Sequence, residues 1–316
     1  MKDLSGASVL GTGVAPGRWG RENSMAQADI TSRPVLNLRR LSDVAGAEIT
    51  GVDLRQPISD ALRDAVLHAL VVHHVLAFRD QDLTGGQQFA MTERFGEPEN
   101  HVFSTASGRK SPKVHVVNNL DASGKPSRKP FTFGSYYWHT DKSYHAIPSL
   151  ATFLHARELP PEGGDTEFAN MYLAYEALDN AMKARLAKLR AVHSWEANRR
   201  NTGNTPATEA EKRERPPVTH PMVRIHPDTG RKTLYIGIHT SHVEGLPEAE
   251  GRQLLDVLLE HATQRQFVFA HKWQPGDLVI WDNRCLLHRV VGNYEMDRYR
   301  RILHRTVLKG TAPIAP

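Results

Sequence analysis

The chain has 316 residues, 40% hydrophobic and 24% charged, with a formal net charge of +5. That length and apolar share suit one large domain or two small ones with a sizeable core. No apolar run reaches the 18 or so residues of a transmembrane helix, and a single cysteine, Cys285, excludes an intrachain disulfide.

Residues 1–33 carry five glycines (Gly6, Gly11, Gly13, Gly17, Gly20) and little periodic apolar pattern. A segment of that kind cannot bury enough surface to offset its ordering entropy, so it is expected to be a disordered extension, with Met25 a candidate natural start. Residues 34–316 then form the single folded domain. Ser59 is placed to cap a helix through His74, with Leu62, Val66, Leu70 and Val71 on one stripe. VLAFR (75–79) follows as a buried strand. Thr84 with Gln87 three residues on signals a capping box for a second helix that stops at Gly96. Further helices are expected over 172–190 and over 247–263, after Pro247. Short strands are expected at 113–117, 150–156, 166–169, 191–195, 221–225, 233–237, 267–271, 277–281 and 301–308. HPDTGRK (226–232) and QPGD (274–277) read as tight turns. Many short strands joined by Gly/Pro turns point to a sandwich or barrel. Residues 197–219 form a long polar stretch, expected to be a lid loop.

The chemistry centres on WHTD (138–141). On a strand, residues i and i+2 share a face, so His139 and Asp141 would offer an imidazole and a carboxylate to one point. Two histidines and one carboxylate on one face of an octahedral ion leave open positions, as in non-haem Fe(II) oxygenases. A His-x-Asp pair alone is weak: with 17 histidines and aspartate at roughly one residue in twenty, about one arises by chance. His226-Pro227-Asp228 is such a pair, and its Pro and Thr-Gly make it a hairpin turn. GDLVIWDNRCLLHR (276–289) reads as a turn, an apolar strand and a histidine near its far end. His288 is thus a candidate third ligand, although on the residues alone it reads more readily as a structural strand-end histidine. In RRILHR (300–305), Arg301 and Arg305 share a strand face. Two inward guanidiniums need anionic partners, and their donor forks suit carboxylates. Cys285 reads as a small buried hydrophobe, and Trp138 and Trp281 as core packing beside the ligand strands.

The sequence resembles the taurine dioxygenase / 2,4-dichlorophenoxyacetate dioxygenase family of Fe(II)- and 2-oxoglutarate-dependent oxygenases. The resemblance covers roughly 35–309. It rests on FRDQDLT (78–84), RFGEPENH (94–101), WHTDKSY (138–144), PPEGGDTEFANM (160–171), HPMVRIHPDTGRK (220–232), WDNRCLLHR (281–289) and RRILHR (300–305). It implies a mainly β fold with flanking helices, a double-stranded β-helix of the jelly-roll, cupin-like kind. It further implies that His139, Asp141 and His288 bind Fe(II), and that Thr166 and Arg301 hold the distal carboxylate of 2-oxoglutarate. Arg305 would bind an acidic group of the primary substrate, with His101 beside it. The spacing from His288 to the arginines is slightly longer than in the taurine enzyme, which leaves the division between Arg301 and Arg305 open.

The implied reaction is hydroxylation of a small organic anion by O2, coupled to conversion of 2-oxoglutarate to succinate and CO2. An aryloxyalkanoate-type acid is favoured on Ser143 and Ser104; alkylsulfonates, taurine and alkyl sulfates are the alternatives within the family. A related halogenase is disfavoured by Asp141, a non-redox cupin-like metal enzyme by Thr166 and Arg301, and a basic binding module by the inward arginines. The basic residues are scattered apart from EKRER (211–215) and RYRRILHR (298–305), so neither nucleic acid nor membrane is an expected partner. A homo-oligomer stays open. The N-terminus lacks the apolar stretch of a secretory signal, and the expected location is cytoplasmic.

Overall fold

Two strands set the layering, because every position in them is apolar except Asp282 at the end of the second. VLAF forms β3 (Val75–Phe78) and LVIWD forms β15 (Leu278–Asp282), and all nine residues are buried. They pair antiparallel, with Leu278 opposite Phe78 and Trp281 opposite Val75. Alternate residues therefore point to opposite faces of the sheet. Leu76, Phe78, Leu278 and Ile280 enter one core, with Val66, Ala69 and Leu70 of helix α1 (Asp60–His73) and Met91 of helix α2 (Gly85–Glu93). Val75, Ala77, Val279 and Trp281 enter another, with Phe168, Phe269 and Leu286 from a second sheet. Buried on both faces, these strands cannot alternate polar and apolar.

The computed structural model describes residues 36–99, 103–105, 108–110, 113–128 and 133–315. The tail expected over 1–33 and the candidate His101 lie outside the described residues. The large sheet has seven strands. Their order is β1 (Asn37–Arg40), β2 (Ala47–Thr50), β3, β15, β7 (Ala151–Glu158), β17 (Ile302–Val307) and β6 (His115–Asn118). Among the described strands only β2 and β3 run parallel. The second sheet has β8 (Thr166–Asn170) between β14 (Val268–His271) and β16 (Leu286–Val290), all antiparallel. On its other face Ala169, Val268 and Leu287 pack with helix α3 (Met171–Glu176) and with Leu254, Leu255 and Leu258 of helix α7 (Glu248–Ala262). Beside it lie β9 (Arg190–His193), between β10 (Val218–Pro221) and β13 (Thr240–Val243), and the hairpin of β11 (Val223–Ile225) with β12 (Lys232–Leu234). A short pair, β4 (Phe103–Thr105) with β5 (Gly108–Lys110), completes the strands. Two sheets packed face to face between helices form the expected jelly roll. No helix among the described residues is long and apolar enough to cross a membrane.

The helix caps behave as their side chains dictate. Ser59 accepts the Leu62 amide at 3.2 Å, and Thr84 and Gln87 complete both halves of their box. Two expectations need correction. The helix over 172–190 is two, because Asp179 caps a new one, α4 (Asn180–Leu186), by accepting the Met182 amide at 2.7 Å. The stretch 197–219 is not an open loop. It holds α5 (Trp195–Asn201), capped by Ser194, and α6 (Glu209–Glu214), closed by a Thr208–Glu211 capping box. That box was readable as Thr-x-x-Glu, but with no apolar stripe behind it the helix signal stayed hidden.

Candidate metal centre and carboxylate pocket

WHTD is not a strand. His139 makes one isolated bridge to His288, with amide–carbonyl distances of 3.1 and 2.7 Å in the two directions. Asp141 then opens a turn, in which Lys142 adopts a left-handed φ of 53°. His288 is the third residue of β16, paired with Phe168 of β8. The bridge brings the two imidazoles to a centroid separation of 4.1 Å. Ligand atoms of His139, Asp141 and His288 all lie within 4.8 Å of one another, and all three residues are buried. The strand-based reason for pairing His139 with Asp141 is thus replaced by a bridge-and-turn geometry that brings the same side chains together.

The protonation states suit a cation. Burial pushes both imidazoles below their ordinary range, His288 far below, so both are neutral. The His139 Nδ1–H donates to the Tyr137 carbonyl at 2.8 Å, which leaves its Nε2 lone pair free. Burial would raise the Asp141 carboxyl, but the Arg305 guanidinium, with the Thr152 hydroxyl, holds it well below the usual carboxylate range. Two neutral nitrogens and one ionised oxygen are a donor set that fits a divalent first-row ion.

A second group forms around Arg301, just ahead of β17. Arg301 is 2% exposed. Its Nε donates to the Gly164 carbonyl at 2.8 Å and its Nη2 to Thr166 Oγ1 at 3.3 Å. Trp273 Nε1 also donates to Thr166 Oγ1, at 3.0 Å. Gly164 has a φ of 70°, and a Cβ there would sit 3.1 Å from Arg301 Cδ. Glycine is what lets the chain pass this close to the guanidinium. No carboxylate lies within ion-pair distance of Arg301 among the described residues, and burial lowers its pKa. A buried, unpaired guanidinium calls for an anion.

Arg305 is placed differently from expectation. The extra residue at the irregularity opposite Ile302 and Leu303 lies in β7, so β17 keeps its period and Arg305 stays on the Arg301 face. Yet Arg305 is not an unpaired cation: its Nη1 donates to Asp141 Oδ1 at 3.2 Å. Among the described residues its Nε is buried without a partner.

Other residues here were given no site role by the sequence. Thr152 of β7 donates to Asp141 Oδ2, and Asn283 joins it to Trp281. Tyr144 packs against His239 at 5.0 Å and Trp195 at 5.3 Å, and the His239 ring stands edge-on to His139 at 6.2 Å. The hairpin read at 226–232 is present, closed by Gly230 donating to the His226 carbonyl. His226 itself is buried, 3.1 Å from Asp282 Oδ2 and near Cys285. Asp282 is already saturated by a bidentate Arg284, so this cluster is a structural ion pair.

The sequence profile described as "Taurine catabolism dioxygenase TauD, TfdA family" matches residues 37–307. The chain is 39% identical over 276 residues to the alpha-ketoglutarate-dependent 2,4-dichlorophenoxyacetate dioxygenase of Cupriavidus pinatubonensis, covering 85% of this chain and 96% of that protein. It is 35% identical over 280 residues to the (S)-phenoxypropionate/alpha-ketoglutarate-dioxygenase of Sphingobium herbicidovorans, covering 87% and 95%. A solved structure of AAD-2 in complex with Mn(II) and N-oxalylglycine superposes with a TM-score of 0.79 at 37% identity, covering 89% of this chain and 99% of that one. The chain therefore belongs to the TauD/TfdA family, and is an oxidoreductase of the Fe(II)-, 2-oxoglutarate- and O2-dependent dioxygenase class.

Proposed function

We propose that this enzyme hydroxylates an aryloxyalkanoate-type acid at a centre where His139, Asp141 and His288 bind Fe(II). The observation that carries the reading is one buried wall bearing a neutral-His/carboxylate triad and, close by, a guanidinium with no carboxylate partner among the described residues. Bound Fe(II) supplies dioxygen activation, coupled to decarboxylation of 2-oxoglutarate to succinate and CO2. Arg301 and Thr166 hold the distal carboxylate of 2-oxoglutarate, the guanidinium by charge and fork geometry and the hydroxyl by a single hydrogen bond. The Nε–H of Arg305, without a partner among the described residues, takes the acid group of the primary substrate, with His101 as a second donor. Held so, the carbon between acid and ether oxygen faces the triad. Its hydroxylation gives a hemiacetal, which collapses to a phenol and an aldehyde acid. The phenoxyacetate and phenoxypropionate activities named for the two curated relatives support this substrate class.

The same anion anchor suits alkylsulfonates and sulfate esters, so the test compares all three. Succinate formation and O2 uptake are measured with Fe(II) and 2-oxoglutarate across aryloxyalkanoic acids, alkylsulfonates and alkyl sulfates. The expected result is the highest kcat/KM with an aryloxyalkanoic acid. A clear preference for a sulfonate or sulfate overturns the substrate class alone; turnover without O2 uptake favours a non-redox, cupin-like enzyme. The proposed cytoplasmic location rests on the single cysteine.

A further inference from the structure

Asp141 lies in a turn, where no regular element fixes its side chain. The terminal torsion of an aspartate is broad and two-fold, so an unrestrained carboxylate can swing either oxygen, or both, towards a cation. Both oxygens taken together would occupy one of the positions that a three-ligand oxygenase site has to leave open. Something in the protein must therefore hold the carboxylate in one rotation.

The described contacts form a hydrogen-bond chain that runs in one direction only. Trp281 Nε1 meets Asn283 Oδ1 at 2.9 Å, and an indole N–H can only donate. The Asn283 amide is thereby oriented, and its Nδ2 donates to Thr152 Oγ1 at 2.9 Å. The Thr152 hydroxyl has one proton, and it goes to Asp141 Oδ2 at 2.5 Å, because an ionised carboxylate can only accept. Thr152, Asn283 and Trp281 are all 2% exposed or less, so no solvent competes. The scaffold is tied down from behind: the Thr140 hydroxyl donates to the Asn283 carbonyl at 2.8 Å, and the Asn283 amide to the Leu150 carbonyl at 2.9 Å. Among the described residues the other oxygen, Oδ1, is held only by Arg305 at 3.2 Å, from a side chain that is 18% exposed.

We propose that Thr152 is a positioning residue for the metal site: its hydroxyl, whose one proton goes to the carboxylate, pins Asp141 Oδ2 and reserves Oδ1 for the cation. The inference rests on the triad reading above. Its test is Mn(II) binding to the apo-protein, followed by electron paramagnetic resonance without substrate or O2, together with the Co(II) absorption spectrum. Thr152→Val removes the donated proton at nearly constant volume and is expected to weaken Mn(II) binding about 10- to 100-fold and to alter the Co(II) spectrum. Thr152→Ala carries the same expectation and guards against misfolding of the valine variant. Thr152→Ser keeps the proton and should match the wild type in both readouts. Asn283→Leu removes the partner behind the hydroxyl but leaves its proton only Asp141 to meet, so it should lower thermal stability while keeping Mn(II) affinity. Thr152→Val and Thr152→Ala proteins that bind Mn(II) as the wild type does would overturn the proposal alone. So would an Asn283→Leu protein as weak as Thr152→Val, since the network would then act through packing. A wild-type protein that binds Mn(II) no better than Asp141→Ala would overturn the triad reading as well.

Discussion

Replacing Arg301 by Met separates its two jobs, filling the core and holding a charge. Methionine retains most of the buried stem and removes the guanidinium. In the ligand-free protein the Gly164 carbonyl and Thr166 hydroxyl each lose a donor, a loss of about 1 kcal/mol per bond. Against this, a cation that is 2% exposed and has no ion-pair partner among the described residues is no longer buried. The two effects oppose each other, so the melting temperature of the ligand-free variant should stay within a few degrees of wild type. Binding of 2-oxoglutarate has no such compensation. Its distal carboxylate would meet Thr166 and a thioether instead of a fork of charged donors. Removing one partner of a desolvated charge pair costs ~2–5 kcal/mol, a roughly 30- to 4000-fold rise in Kd. Isothermal titration of the Mn(II)-loaded protein with 2-oxoglutarate under anaerobic conditions reads this directly. An Arg301→Met protein that binds 2-oxoglutarate as tightly as wild type would refute the assignment and move the cofactor carboxylate to Arg305.

His139→Ala, Asp141→Ala and His288→Ala should each abolish Fe(II)-dependent succinate production while the circular dichroism spectrum is kept; a folded Asp141→Ala enzyme with near-normal turnover would dismiss the triad. Neutral amide or ester analogues of the true substrate should lose most of kcat/KM relative to the acid, and Arg305→Ala should narrow that gap; equal turnover of acid and amide by the wild type would return Arg305 to a purely structural pairing with Asp141. Amides of 195–215 should gain hydrogen-exchange protection when substrate binds, since Trp195 packs against Tyr144 beside the triad; unchanged protection would count against a closing lid. Stability should fall in mild acid: burial pushes His74 and His220 down to about 4, below the unfolded value. The unfolded chain thus takes up their protons first, so the contribution is fully present above about pH 6.5 and is lost as pH falls from there towards 4, roughly 3 kcal/mol for each residue. Melting temperature against pH should show this slope, and a His220→Gln variant with an unaltered slope would exclude that residue as a source.

Much of the chain announced itself locally. Ser59 and the Thr84–Gln87 box mark helix starts because capping is settled within four residues. VLAF and LVIW read as buried strands because the second face they bury against is also apolar. What stayed hidden depends on partners distant in sequence. β1, β2, β13 and β16 were missed or unframed: β1 has the polar sequence NLRR and exists only because β2 pairs with it, and β16 was read simply as the far end of β15. The break at Asp179 and the helices α5 and α6 had cap signals but no apolar stripe to frame them.

For the site, the sequence by itself determined the chemical inventory: a His-x-Asp pair, a histidine after an apolar strand, two arginines four apart and a threonine after a glycine pair. Those are properties of residue type and spacing, and resemblance to a family orders them into roles. Only the tertiary structure decided how they meet. His139 and His288, 149 positions apart, approach through one backbone bridge rather than a shared strand. Arg301, just ahead of β17 of one sheet, reaches Thr166 of β8 in the other from 135 residues away. Arg305 pairs with Asp141 rather than standing unpaired. Thr152, Asn283 and Trp281 belong to the centre solely through hydrogen bonds of that packed state. Local spacing cannot encode such contacts, because a hydrogen bond between distant residues depends on the register and packing of whole sheets, and these form only when the buried faces close on one another.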